Sequence, residues 1–218
     1  MMNELTLIQT IIIWAVPVIF AITVHEVAHG WVAKQYGDNT AFNLGRLTLN
    51  PISHIDLIGT IVVPGLLLLT GAGFIFGWAK PVPVDPRNFK NPKKDMAIVA
   101  LAGPVSNLLM ALGWALLIRI GLAIESESIS PLLMYMGFAG ISINLVLALL
   151  NLLPIPPLDG SRILTGILPH YWAWQYNRFE QYGFILLLAL LWMGGLSYLL
   201  GYPMSLIRPL YLSVAGLQ

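Results

Sequence analysis

Long apolar stretches separated by short polar loops make up most of the chain. A helix that crosses a bilayer needs roughly 20 apolar residues. Five stretches approach this length: residues 5–33, 55–76, 96–120, 132–153 and 182–200. The second is interrupted by Pro64, Gly65, Gly71 and Gly73. A last stretch, 202–218, holds Pro203, Arg208 and Pro209 and reads as interfacial or as a short final span. These runs are too long and unbroken for the alternating strands of a membrane β-barrel. The first lacks a basic leader and a small-residue cleavage site, so it is expected to stay in the protein. Two loop pieces read differently. Residues 42–49, FNLGRLTL, have the pattern of a strand. Residues 77–84 carry alternating prolines, which forbid helix and favour an extended chain. The expected architecture is an all-α polytopic membrane protein. It has four to five transmembrane helices, a re-entrant or interfacial segment at 55–76, and short β-strands near the membrane surface. We expect one integral-membrane domain over 1–218, with a core at 5–165 and C-terminal helices at 170–218.

Composition narrows the class. Of 218 residues, 57% are hydrophobic and 10% are charged. An average soluble domain is about a quarter charged, so a soluble globular fold and a disordered chain are both excluded. A net charge of +1 points to no nucleic-acid partner. The absence of Cys excludes disulfides and thiolate metal sites. Loop charge sets orientation. The 77–95 loop holds Lys80, Arg87, Lys90, Lys93 and Lys94, whereas the 121–131 loop holds only Glu125 and Glu127. The first loop is therefore expected in the cytoplasm and the second outside. With the spans counted, no stretch remains for a sizeable soluble module or a PDZ domain.

Polar residues inside the first apolar stretch change the picture most. Residues 25–30 read His25-Glu26-Val27-Ala28-His29-Gly30. On a helix, His25 and His29 lie one turn apart on one face and can share a Zn²⁺ ion. Glu26 can then act as general base toward a water. Titratable groups inside a spanning helix are costly and default to function. If the two imidazoles merely bonded to neighbouring helices, Glu26 would still need a buried partner. A catalytic zinc usually takes a third protein ligand. Position 35 is Gln35, so a third His six residues after His29 is missing, and no Glu occurs between Glu26 and Glu125. Of the ten acids, Asp159 follows the fourth span in the run NLLPIPPLDG, where three prolines stop the helix. It reads either as a ligand turned inward or as a solvated turn residue before Gly160.

HEVAHG together with NLLPIPPLDG resembles the site-2 protease family, the intramembrane zinc metalloproteases of peptidase family M50. The resemblance extends to NPISHID at 50–56, FGWAKPVP at 76–83 and AGPVSN at 102–107. It implies His25, His29 and Asp159 as ligands of one Zn²⁺ per chain, with Glu26 activating the water. It implies that Asn151 positions substrate or stabilises the oxyanion. Asn107 either lines the site or packs helices through a hydrogen bond. His54, beside Asp56, either faces the site or caps a helix at Ile55. The implied substrate is a transmembrane segment of another protein, unwound locally and met within the lipid bilayer. The two expected strands would pair with it.

The resemblance also constrains topology. His25, His29 and Asp159 must meet at one depth, on the side of the 77–95 loop. Residues 34–95 then cross the membrane an even number of times, and 55–76 is too short to cross twice. A small transporter or channel explains broken helices equally well, but not the HExxH paired with a carboxylate on the same side. A haem protein commonly takes axial His from separate helices, whereas His25 and His29 share one. The chain is expected to be a multi-pass protein of the cell membrane, its site toward the cytoplasm. Oligomeric state is not legible.

Overall fold

The computed structural model describes residues 6–71, 77–124 and 126–217. Helix α1, Leu7–Gln35, starts at a capping box in which Thr6 and Gln9 bond reciprocally. Such a box satisfies free N–H groups of the first turn. A short α2, Thr40–Asn43, follows, and then a 3-10 turn, Pro51–His54. A π-helix, Leu57–Val62, runs into α3, Val63–Thr70. The long α4, Pro92–Ile124, and α5, Ile129–Leu152, come next. The chain ends with α6, Asp159–Ile167; α7, His170–Asn177; α8, Glu180–Trp192; and α9, Gly195–Val214.

Helices α1, α4 and α5 are each long and apolar enough to cross a membrane. Their outward faces are apolar, with Ile11, Phe20, Leu109 and Leu116 exposed. On helices of this length, such apolar surface is the kind a bilayer covers. The chain is an integral membrane protein. The apolar helix over Leu57–Thr70 spans at most about 20 Å, short of the roughly 30 Å hydrocarbon core. Pro64 does not break it, because it falls in the first turn of α3. Residues 72–76 of the expected 55–76 segment, and Glu125 of the outer loop, lie outside the described residues.

Two expectations are corrected. The apolar run 182–200 is not one helix: α8 and α9 meet at 79°. Gly194, at φ +73°, makes the bend. It is a turn residue.

The expected β-strands are also absent among the described residues. Residues 40–43 form a helical turn instead. Residues 77–85 are extended, as the prolines require, but pair with no strand. Trp78 N–H donates to Gly59 O at 3.0 Å, and Lys80 N–H to His54 O at 2.9 Å. Val82 N–H donates to Glu26 Oε2 at 2.7 Å. Successive N–H groups of an extended chain point to opposite edges. One edge is thus taken up by helix carbonyls and a carboxylate. The other carries Pro81 and Pro83, which have no N–H to give. The Arg46 guanidinium takes the carbonyls of Lys80 and Pro81. We refer to residues 77–85 as the strap.

Helix α4 is central and packs against α5, α1 and α6. Small residues let it approach α5. A Cβ on Gly137 would collide with Ile118, and one on Gly140 with the Trp114 ring. Ala111, Ala115, Ile118, Ile141 and Leu145 fill the seam, with Ala215 closing it from the α9 end. Close approach through small residues is the usual way to pack helices where lipid removes the hydrophobic drive.

Candidate metal centre

The histidines lie in the C-terminal half of α1, one turn apart, and Asp159 opens α6. Their Nε2 atoms are 3.0 Å apart. Asp159 Oδ2 lies 3.2 Å from each. The two rings stand nearly perpendicular, at 87°. Gly160 makes the arrangement possible, because a Cβ there would collide with the carbonyls of Leu152 and Leu153 at the end of α5. Gly103 of α4 does the same for the histidines. A Cβ on it would sit 2.6 Å from His25 Nε2 and closer still to His29 Nε2.

The far side of each imidazole fixes its proton. His29 Nδ1 is 2.7 Å from Val99 O, a carbonyl that can only accept. His25 Nδ1 is 2.6 Å from Asn107 Oδ1. The Asn107 amide is oriented by its nitrogen, which donates to Ala21 O at 3.2 Å and to Asn144 Oδ1 at 2.9 Å. Both histidines therefore carry hydrogen on Nδ1 and a lone pair on Nε2. Two imidazole lone pairs and a carboxylate oxygen thus face one another. Asp159 Oδ2 is buried and has no hydrogen-bond donor, although both nitrogens are near it. Such a cluster is able to hold a cation at its centre. Zinc ligated by nitrogen and oxygen at about 2.0–2.2 Å has tetrahedral ligand–ligand edges of about 3.3–3.6 Å. The observed 3.0–3.2 Å edges are a few tenths of an ångström shorter, so the residues fit a zinc ion with a small outward shift. These three form the described group able to hold a metal.

The other candidates fall at different distances from this centre. Glu26 is the next residue after His25, and the strap holds one of its carboxylate oxygens through Val82 N–H. Gly30, one turn on, seats the strap: a Cβ there would lie 2.7 Å from Val82 Cγ1 and 2.5 Å from Leu47 Cδ2. Asn107 touches the centre through His25. Asn151 lies near the end of α5, and its Nδ2 donates to Leu147 O in its own helix. His54 is buried and belongs to the strap's anchorage: its Nε2 is 2.9 Å from Thr48 O, and its carbonyl receives Lys80 N–H. Helix capping beside it falls to Asp56, which accepts from Gly59 N–H at 2.7 Å.

Three contributors escaped the sequence reading: the Val99 carbonyl, the Val82 N–H and Asn144. The first two are backbone groups, which no side-chain pattern marks. Asn144 did carry a signal, as an amide in the middle of an apolar span.

Similarity to known proteins agrees with this geometry. The family model of Peptidase family M50 matches residues 117–194, a window that includes Asn151 and Asp159. A Bacillus subtilis protein named "Putative zinc metalloprotease YwhC" is 44% identical over 179 residues, covering 80% of this chain and 78% of that protein. A similarly named Methanocaldococcus jannaschii protein, MJ0611, is 34% identical over 68% of this chain and 66% of its own length. Rip2 of Mycolicibacterium smegmatis is 30% identical over 79% of this chain and 64% of its own length. No solved structure matches the chain. With relatives of this identity and coverage, the chain belongs to peptidase family M50 and is a zinc metalloprotease.

Proposed function

We propose that the enzyme hydrolyses peptide bonds within or beside the transmembrane segments of other membrane proteins. In this reading His25, His29 and Asp159 hold one zinc ion and Glu26 is the general base. The observation that carries it is the meeting of three proton-free ligand atoms, two from α1 and one from α6, inside a bundle of spanning helices. Zinc in such a site polarises a scissile carbonyl and acidifies a water. Glu26 has one oxygen occupied by Val82 N–H, which leaves the other to receive the proton of the attacking water and pass it to the leaving amine. Asn151 supplies a donor to the substrate or its oxyanion once its amide turns away from Leu147 O. Val99 and Asn107 keep the imidazole Nε2 atoms free of protons. The five cations of residues 77–95 support a cytoplasmic position for the strap in the cell membrane. The strap's bond to Glu26 supports an active site on the same side.

The test compares purified wild type with Glu26→Gln and His25→Ala. About one zinc per chain is expected in wild type and in Glu26→Gln, and none in His25→Ala. Cleavage of a single-span model substrate should fall at least about 100-fold in Glu26→Gln. Membranes holding that variant should accumulate single-span proteins. Cleavage at the wild-type rate by Glu26→Gln, or full zinc content in His25→Ala, would end this reading.

A further inference from the structure

Among the described residues of the spanning helices, Asn144 is a fully buried polar side chain beyond the ligands and their direct partners. Asn144 sits in the middle of α5 beside Ile141 and Leu145, with none of its surface exposed. An amide at that depth is costly unless every polar atom is bonded. Its Nδ2 donates to Gly140 O, one turn back, at 2.9 Å. A carbonyl only accepts, so this bond fixes which way the Asn144 amide is turned. Its Oδ1 therefore faces Asn107 and accepts from Asn107 Nδ2 at 2.9 Å, a shorter bond than the 3.2 Å one from Asn107 to Ala21 O.

Resting on the reading of His25 as a zinc ligand, we propose that Asn144 is a positioning residue for the metal centre. It holds the Asn107 amide with its carbonyl toward His25, and so keeps His25 in the tautomer whose Nε2 is free. The donors run in one direction, from His25 to Asn107 to Asn144 to Gly140 O. Bonds aligned this way polarise one another, which strengthens Asn107 Oδ1 as an acceptor and makes His25 a better ligand. A flipped Asn107 would present its NH₂ to His25 Nδ1. The imidazole proton would then move to Nε2, where it blocks the metal. The helix that supplies Asn144 thus acts on the metal through two side chains without touching it.

The test measures zinc affinity of the purified full chain by competition with a chromogenic chelator. Asn144→Leu should weaken zinc binding about tenfold, the low end of what loss of an outer partner costs. The cobalt-substituted protein should show a shifted d–d spectrum. Asn144→Ala, which cannot overpack, gives the same comparison if leucine prevents folding. The decisive background is Asn107→Asp, because a carboxylate accepts from His25 whichever way it is turned. There, loss of Asn144 should change zinc affinity by less than about twofold, which is the coupling a double-mutant cycle reads. A helix-packing role alone predicts the same loss in both backgrounds, and that result overturns the proposal. So does wild-type affinity in both Asn144 variants while His25→Ala loses zinc. If His25→Ala keeps zinc, the ligand reading itself falls and takes this proposal with it.

Discussion

Replacing Gly103 with alanine perturbs the metal centre without altering a ligand. The new methyl carbon would lie 2.5 Å from His25 Cε1 and 2.6 Å from His25 Nε2, with His29 Nε2 nearer still. Ordinary contact begins near 3.4 Å, so the imidazoles or α4 must yield by about 1 Å. Ligand distances in a zinc site hold to about 0.2 Å, so this shift is several times the tolerance. The fold should survive it. Overpacking costs about 1–3 kcal/mol, and alanine in place of glycine returns up to about 1 kcal/mol in a helix. We therefore expect a folded chain whose zinc affinity is lower by about 100-fold, the upper end of what disturbing a ligand's surroundings costs. Elemental analysis after dialysis against graded chelator reads the affinity, and thermal unfolding reads the fold. Gly113→Ala is the control, since it lies on the same helix and its Cβ would meet nothing within 4 Å. Wild-type zinc affinity in Gly103→Ala would refute the packing argument and the site built on it.

Val82→Pro removes the N–H that Glu26 accepts, a bond to a charged group worth about 1.5–3 kcal/mol. Limited proteolysis within residues 77–91 should rise while zinc content stays the same; an unchanged digestion pattern would count against the strap's attachment. The strap should also loosen in acid. Burial opposes ionisation of Asp38. Bonds from Thr40, Asn88 and the Asp85 N–H outweigh it and hold its pKa below the ordinary carboxylate value. The Arg87 side chain holds Asp85 at about 2. Both folded values lie below the unfolded one, so the unfolded state takes up protons first. Their contribution is complete above about pH 4 and is lost as pH falls toward 2. Amide exchange in the strap should therefore accelerate over that range, and Asp38→Asn should flatten the dependence. The exposed Asp85–Arg87 pair adds little of its own. Faster exchange on raising the pH from 4 to 7, beyond the intrinsic rate, would contradict this sign.

Helices α1, α4 and α5 were legible because a bilayer demands long apolar runs, and each run's length survives into the fold. The HExxH was legible because two ligands one turn apart are a local pattern. Asp159 became a candidate because a chain with ten acids leaves few choices. The strap was read as a strand because alternating prolines dictate an extended backbone but not its partners. Those partners turned out to be Gly59 O, His54 O and the Glu26 carboxylate. The bend at Gly194 was hidden because the apolar run continues unbroken across it. The Asn107–Asn144 bond joins residues 37 apart in sequence, and only helix docking reveals it.

Helix α4 supplies no ligand, yet it carries Val99, Gly103 and Asn107, which respectively fix one histidine, make room for both and fix the other. During synthesis α1 leaves the ribosome well before α4, and α6 follows later still. The motif in α1 therefore has neither its third ligand nor its correct tautomers while the chain is growing. In the proposed reading, the site is complete only once α4 and α6 have packed against α1.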